Sequence, residues 1–380
     1  MRPVRDYPAY LLEIAFKEDA TLYELLAIAL AFAVFWGLFF EAGKVLLRRL
    51  THDRPWLRLA CEREYERSAK KMFEDIGLTL TKEEAVEHMM RDQWPDCIVI
   101  ISQHAAGSIL CIPSLLGMGD ASWASSLACL GCLSEIGWEF ENTAEIVYKR
   151  FFTVHGEKKM PNLIVFLLLL HHSLASSLGL PMVIHYRNLW VFHQVVFDLQ
   201  LASVTLILTE YSKLLDIAKA NDLWKFKVCN FLMLALYVWT RLIHWIYLSA
   251  HMTLTWYHDK AWTFMAVGAV MILLFSFFNA VFIVIPTYQR YMKFLRVSAE
   301  HDSLPLDASE KQRRQSIIQL EAAREVLVEY DLEDRILSFL DSLNDKKKVE
   351  RRMTLPPRSM KTWRSTRMMR SVPAHGWKKD

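Results

Sequence analysis

The sequence predicts an all-α, multispanning transmembrane helical bundle of about seven spans, and three observations lead to that fold class. Hydrophobic residues make up 53% of the 380-residue chain. They are gathered into blocks of roughly 20 residues, the length at which a helix crosses about 30 Å of hydrocarbon. Lys and Arg are concentrated in every second connection between the blocks, as expected when positive charge stays in the cytoplasm.

The apolar blocks set the positions of the spans. They are predicted at 22–41, 97–116, 121–141, 161–184, 188–209, 226–250 and 262–286. Ser, Gly and acidic residues interrupt the second and third spans, which leaves an eighth crossing or a re-entrant segment open in that region. The alternation of positive charge predicts a lumenal N-terminus and a cytoplasmic C-terminus.

The N-terminal part is expected to hold a lumenal segment, 1–20, and a unit of two spans, 21–119. No cleavable signal peptide is expected, because the first apolar run begins near Leu25 without a small-residue cleavage site. Within the second unit, the connection 42–96 is too polar to span. Its spacing of apolar residues predicts amphipathic helices at the cytoplasmic surface.

The C-terminal part is expected to hold a membrane domain, 120–296, a cytoplasmic helix, 297–345, and a basic disordered tail, 346–380. Apolar residues at three-and-four spacing predict the helix, which either binds a partner helix or lies on a surface. Twelve Lys or Arg stand against two acids in the tail, which predicts attraction to anionic lipid. Nucleic-acid binding is disfavoured, because no folded basic domain accompanies the tail.

Ionisable residues inside the spans point most directly to function, since each costs about 2.5–3.5 kcal/mol at a helix centre. The fourth span carries His171 and His172 in "LLLLHHSLASSLGLP". Other polar residues in the spans are His193, Gln194, Asp198, Gln200 and Glu210 in the fifth, Glu135, Glu139 and Glu141 in the third, and Arg241 and His244 in the sixth. So many polar groups predict a polar cavity within the bundle.

Helix geometry predicts different roles for the two histidines. Neighbouring side chains point about 100° apart, so His171 and His172 do not converge on one ion by themselves. One ring is expected to meet a substrate and the other to bond a neighbouring helix. A stripe of Gln194, Asp198, Thr205 and Thr209 is expected to face the histidines, whereas Glu210 is expected to contact Lys213.

Three chemistries suit histidines and a carboxylate in a membrane cavity: acyl transfer, a metal centre, and a proton or ion path. A metal is disfavoured, because desaturases need several histidine boxes and an elongase needs HxxHH, where this chain has Leu168. The CxxC of Cys129 and Cys132 lies in an apolar helix without a second pair, which predicts packing. Histidines that bond helix to helix are the structural alternative.

Several stretches taken together resemble the TLC-domain family, which includes the ceramide synthases and TRAM-type proteins. They are "LSEIGWEFENTAEIVYKRFF", the apolar helix with His-His, "LTEYSKLLDIAKANDLWKFKVCNFLMLALYVWTRLIHW" and "KAWTFMAVGAVMILLFSFFNAVFIV". The likeness covers roughly 120–296. In the ceramide synthases a His-Asp pair and a further Asp precede the acid at Glu210, whereas this chain has Ala202, Ser203 and Leu206 there.

The ceramide-synthase resemblance implies an endoplasmic-reticulum enzyme that transfers an acyl group from acyl-CoA to a sphingoid base. Membrane lipids are its expected partners, a homo- or heterodimer is left open, and acyl-CoA is a co-substrate rather than a bound cofactor. The expected catalytic residues are His171, His172 and Asp198, with supporting or substrate-binding roles for His193, Gln194, Glu210, Lys213 and Arg241. The alternatives are a non-catalytic lipid-binding, lipid-sensing or trafficking protein and, third, a transporter.

Overall fold

A computed structural model describes residues 16–17, 19–52, 54–66, 80–153, 156–160, 162–305 and 308–328. Within these ranges the chain is helical and contains no strand. The all-α prediction is therefore confirmed for the described residues. The predicted lumenal segment up to residue 15, the loop residues 67–79 and the basic tail lie outside them.

Nine helices, several of them with internal turns of a different type, make up the described chain. They are α1 Leu22–Thr51, α2 Pro55–Glu64, α3 Lys82–Leu115, α4 Ala121–Phe152, α5 Asn162–His185, α6 Trp190–Leu214, α7 Ala220–His258, α8 Trp262–Asp302 and α9 Glu310–Val328. A short helical turn, Gly156–Lys159, precedes α5.

Five helices, α1, α3, α6, α7 and α8, are long and apolar enough to cross a membrane. This finding supports a multi-pass membrane protein. The predicted spans 121–141 and 161–184 correspond to α4 and α5, which are not among the five. Among the described residues five helices meet this criterion, and the number of seven spans stays a prediction.

Local sequence signals fix the helix starts. Thr21 begins α1 with a capping box, in which its hydroxyl accepts from the Glu24 backbone and the Glu24 carboxylate accepts from the Thr21 backbone. Thr81 and Glu84 repeat this arrangement at the start of α3, and the backbone hydrogen bond lowers the pKa of the Glu84 carboxyl. Asp120 caps α4 by accepting from two backbone N–H groups.

Three of the long helices contain a π-helical turn: Met89–Gln93 in α3, Trp239–Ile243 in α7 and Asn279–Val284 in α8. Pro95 follows the first of these turns, and a proline has no N–H to donate to the carbonyl four residues earlier. That carbonyl belongs to Arg91, and it accepts instead from Arg48 Nε at 2.6 Å. The missing hydrogen bond of α3 is thus replaced by one from α1.

Small residues allow the central helices α1, α3, α4 and α6 to approach closely. A methyl group on Gly131 would lie 2.8 Å from the carbonyl oxygen of Gly107, where α4 meets α3. The carboxamide of Gln200, on α6, fills the space beside Gly107 and donates to the Gly131 carbonyl at 3.1 Å. The polar group is therefore part of the helix contact.

Two smaller clusters pack the polar segments against the bundle. In the connection before α3, Leu57 and Cys61 of α2 pack on Val86 and Met90, and burial raises the pKa of the Cys61 thiol to about 12. At the other end, Leu320 of α9 packs against α7 and α8. The described part of the C-terminal helix therefore packs against its own chain.

Candidate functional site

A cavity of about 290 Å³ lies among α3, α4, α5, α6, α7 and α8. Most of its lining is apolar. The apolar side chains are Leu, Ile, Val, Met, Phe and Trp, and they come from α4, α5, α6, α7 and α8. The ionisable residues that line it are His104, Glu135, Glu139, His171, His172 and Arg241. An apolar chamber with one polar group of side chains suits an amphipathic ligand.

Both predicted histidines line this cavity, because the inward face of α5 is broader than a single row. Leu168, Ala175 and Leu178 share the face with His171, and Gly179 lies one row across, with His172. The His172 ring is buried, with Nδ1 2.9 Å from Thr143 Oγ1 on α4.

The His171 ring is placed differently. It is half-buried, packs edge-on against Phe275 at 5.2 Å between ring centroids, and makes no hydrogen bond within the described part of the chain. Its two nitrogens are thus available to a ligand. One ring is fixed to a neighbouring helix and the other has its hydrogen-bonding capacity unused.

The carboxylates that face the cavity come from α4. Glu135 Oε2 accepts from Gln103 Nε2 at 3.0 Å and lies 3.2 Å from His104 Nδ1. Glu139, one turn further on, accepts from Ser176 Oγ at 3.1 Å. These contacts connect α4 to α3 and to α5, so the acids both line the cavity and tie its walls together.

Arg241 is the cationic residue of the cavity lining, and it lies in the π-helical turn of α7. Its Nη2 donates to the Leu199 carbonyl of α6 at 3.3 Å. A π-helical turn widens the helix locally and is often found at functional positions. Here it coincides with the one arginine that reaches the cavity in the described chain.

Asp198 does not line the cavity with the histidines, which corrects the predicted pairing. The inward face of α6 runs through Phe192, Val195, Val196, Leu199, Gln200 and Ser203. A helix face repeats every three or four residues, so Gln194 and Asp198 lie on an adjacent face, towards α7. There Asp198 Oδ1 accepts from Gln194 Nε2 at 2.9 Å, and Oδ2 lies 2.6 Å from His244 Nδ1.

The remaining predicted residues also lie away from the cavity. His193 is fully buried, with Nδ1 2.5 Å from Ser114 Oγ and Nε2 2.6 Å from the Arg187 carbonyl. A carbonyl can only accept, so Nε2 carries the proton and both nitrogens are used. Glu210 accepts from Lys213 Nζ at 2.7 Å, and neither residue lines the cavity.

Sequence reasoning did not assign His104, Glu135 and Glu139 to the site. A signal for the acids was present, since Glu135, Glu139 and Asn142 are four and three residues apart and so share one face of a helix. The cavity residues of α5 show the same spacing. His104 carried no such signal, because its partner Glu135 is 31 residues away on another helix. Within the described residues, no group of three or more His, Cys, Asp or Glu could hold a metal ion.

The chemistry of the cavity is therefore the main guide to function. The chain presents three histidines, two carboxylates and an arginine to an apolar chamber. Comparison with protein-family models, with curated proteins and with solved structures gives no match for this chain.

Proposed function

We propose that the chain is a TLC-type membrane protein of lipid metabolism that transfers a fatty acyl group from acyl-CoA to the amine of a sphingoid base. The observation that carries this proposal is the position of His171. Its ring faces an apolar cavity without a hydrogen bond of its own in the described chain, beside a second histidine that Thr143 holds in place. Apolar walls suit both long-chain substrates.

His171 is the proposed general base. The imidazole takes a proton from the amine of the sphingoid base, and the amine nitrogen attacks the carbonyl carbon of the thioester. The new C–N bond forms as the C–S bond breaks, and the leaving thiolate takes the proton back from the imidazolium. The products are an amide and the free thiol, with no oxidant or metal required. The positively charged side chain of Arg241 lines the same cavity and would stabilise the negative charge that develops on the carbonyl oxygen.

The acids of the site are proposed to be Glu135 and Glu139 in place of Asp198. In the ceramide-synthase pattern the positions of Ala202 and Ser203 carry a His-Asp pair. Ser203 does line the cavity, so this position faces the site but presents a hydroxyl instead of a carboxylate. The cavity carboxylates come from α4. In this proposal they keep the neighbouring imidazoles oriented and balance their charge.

The proposed membrane arrangement has seven spans, with α4 and α5 added to the five most apolar helices. Both α4 and α5 line the histidine cavity together with α3, α6, α7 and α8. The N-terminus is placed in the lumen of the endoplasmic reticulum and the C-terminus in the cytoplasm, because the connections rich in Lys and Arg alternate along the chain.

Replacing His171 with alanine tests the catalytic proposal. Loss of a general base slows a reaction by about 10²–10⁴-fold, so we expect H171A to lose at least about 100-fold in turnover. The measurement is amide formation by the purified protein with acyl-CoAs of several chain lengths and sphingoid bases.

His185→Ala is the matched control for H171A. His185 is also on α5 but packs on Phe264, outside the cavity, and its replacement should leave turnover near that of the unaltered protein. Folded, unaltered protein that forms no amide with any substrate pair would rule out the transferase.

A non-catalytic lipid-binding protein is the second candidate, and the internal hydrogen bonding of the cavity favours it. Glu135, Glu139 and His172 each have a partner within the bundle, as expected of groups that stabilise helix contacts. This function predicts lipid retained through purification, without turnover. Mass spectrometry of the lipid extracted after incubation with acyl-CoA and a sphingoid base separates the two candidates, since new amide appears only if the acyl group is transferred.

A further inference from the structure

A cleft of about 760 Å³ lies at the polar end of α1, far along the chain from His171 and His172. Four arginines, Arg48, Arg49, Arg58 and Arg91, line it together with two carboxylates, Glu87 and Asp92. Four positive and two negative groups leave an excess of two positive charges. We name this feature the arginine cleft.

The two carboxylates fix the direction of three of the arginines. Asp92 Oδ1 accepts from Arg48 Nη2 at 2.7 Å, and Glu87 is shared by Arg58 and Arg91. A guanidinium carries five N–H donors, so each of these arginines keeps N–H groups that the carboxylates do not use. Arg49 is exposed and has no ion pair within the described part of the chain.

The backbone of α3 supports this arrangement independently. Glu87 lies just before the π-helical turn Met89–Gln93, and Arg91 and Asp92 lie within it. Because Pro95 cannot donate to the Arg91 carbonyl, Arg48 Nε does so at 2.6 Å. The Arg48 side chain is thus held by two bonds to α3, which pre-organises it at the wall of the cleft.

We propose that the arginine cleft binds a phosphate monoester or pyrophosphate group. Planar guanidinium groups bind such groups through paired N–H donors, and a dianion matches the excess of two positive charges. Two sources carry this chemistry: the nucleotide end of a coenzyme A thioester and a phosphorylated lipid headgroup. The phosphate site does not depend on the proposed function, whereas its assignment to coenzyme A rests on it.

The position of the cleft suits the coenzyme source. Arg91 of the cleft and His104 of the cavity are 13 positions apart on α3. This is about 20 Å along a helix axis at ~1.5 Å per residue. An extended pantetheine chain reaches over a distance of this order, so a nucleotide at the cleft is compatible with a thioester near the histidines.

Binding of two probes to the full-length protein tests the proposal and separates the sources. The first probe is coenzyme A, added to protein in nanodiscs of phosphatidylcholine. The second is phosphatidylinositol 4-phosphate, added to the nanodisc lipid and detected by a rise in the unfolding temperature. We expect saturable binding of at least one probe, weakened by added salt.

Arg49→Ala combined with Arg58→Ala should weaken that binding at least about tenfold, since charge-assisted hydrogen bonds are the strong ones. Arg54→Ala is the matched control: Arg54 is exposed in the same connection, donates to the Leu50 carbonyl and lies outside the cleft. The proposal is overturned if neither probe binds, or if R54A weakens binding as much as the double variant.

The two probes assign the source. Coenzyme A binding that the double variant weakens places the nucleotide in the cleft, and phosphoinositide binding alone assigns it to a lipid headgroup. H171A should leave binding at the cleft unchanged. A protein that binds at the cleft but forms no amide therefore contradicts only the transferase, whereas turnover without arginine-dependent binding contradicts only the phosphate site.

Discussion

Gly137 lies where α4 crosses α1 so closely that no side chain fits between the helices. A methyl group at this position would lie 2.6 Å from the carbonyl oxygen of Ala29 and 2.4 Å from Cβ of Phe32. The first of these atoms belongs to the backbone of α1 and cannot move without moving the helix. Van der Waals packing of small residues is a main source of stability between helices in lipid.

We therefore expect Gly137→Ala to destabilise the protein by about 1–3 kcal/mol, as overpacked sites do. The unfolding temperature in detergent is the measurement. Gly37→Ala is the control on the opposite helix, because a methyl group there meets only Cγ of Glu141 at 3.6 Å, an ordinary contact. Equal unfolding temperatures for the two variants would contradict the close approach.

Single residues also show what the sequence can and cannot reveal about the site. His171 and His172 can be recognised in the sequence, because removing polar rings from water into an apolar run costs free energy and therefore indicates a protein-lined or polar environment. The wheel argument for Asp198 failed because it fixed which residues share a face of α6 but not which neighbour that face meets. Its actual partner, His244, comes from α7, and that long-range contact has no local signal.

Helix α9 is anchored by Arg324, a buried charge that the apolar periodicity of its sequence does not single out. The side chain is fully buried, donates from Nη1 to the Leu215 carbonyl at 2.7 Å and from Nη2 to the Ser212 carbonyl at 2.6 Å, and lies over the Phe226 ring. These carbonyls belong to the end of α6, where a cation also meets the negative end of the helix dipole. Arg324 thus attaches α9 to the end of α6.

Replacing Arg324 with alanine should detach α9. Hydrogen bonds to charged groups contribute about 1.5–3 kcal/mol each, so we expect R324A to expose α9 to protease much faster than the rest of the chain. Limited proteolysis with mass mapping measures this. Arg314→Ala, at an exposed position of the same helix, should leave the cleavage rate unchanged; equal rates for both variants would contradict the anchor.

The helices and their irregular turns differ in how well the local sequence predicts them. The capping boxes at Thr21 and Thr81 and the apolar runs are local signals, and the helices they predict are present. Pro95 and its effect on α3 are likewise readable from the sequence. The π-helical turn Trp239–Ile243 in α7 contains no proline, and the contact that Arg241 makes there with the Leu199 carbonyl of α6 has no local signal in the sequence.

At the scale of the whole molecule, the number of membrane crossings depends on α4 and α5. The acids that line the cavity are the reason that α4 falls short of the apolar composition of a typical span, since Glu135 and Glu139 face protein rather than lipid. The mean hydropathy of a helix treats both kinds of position alike, so acids that face protein lower it as much as acids that face lipid. The alternating positive charge still favours two additional crossings.

Two exposed positions distinguish seven spans from five. Met118 lies between α3 and α4, and Glu157 lies between α4 and α5. With seven spans, Met118→Cys is lumenal and Glu157→Cys is cytoplasmic. In sealed microsomes, we expect a membrane-impermeant maleimide to label E157C at once and M118C only after permeabilisation. Labelling of both from the same side would show that α4 does not cross.

The placement of the native thiols has a practical consequence for the study of this protein. Five of the six cysteines are buried and all six are unpaired, and Cys61 stays protonated at neutral pH because burial raises its pKa to about 12. A protonated, enclosed thiol is a poor nucleophile. The rate at which the native cysteines react therefore reports how often the helices separate. With a thiol reagent, that rate measures opening of the bundle in the membrane itself, without denaturant and without an introduced cysteine.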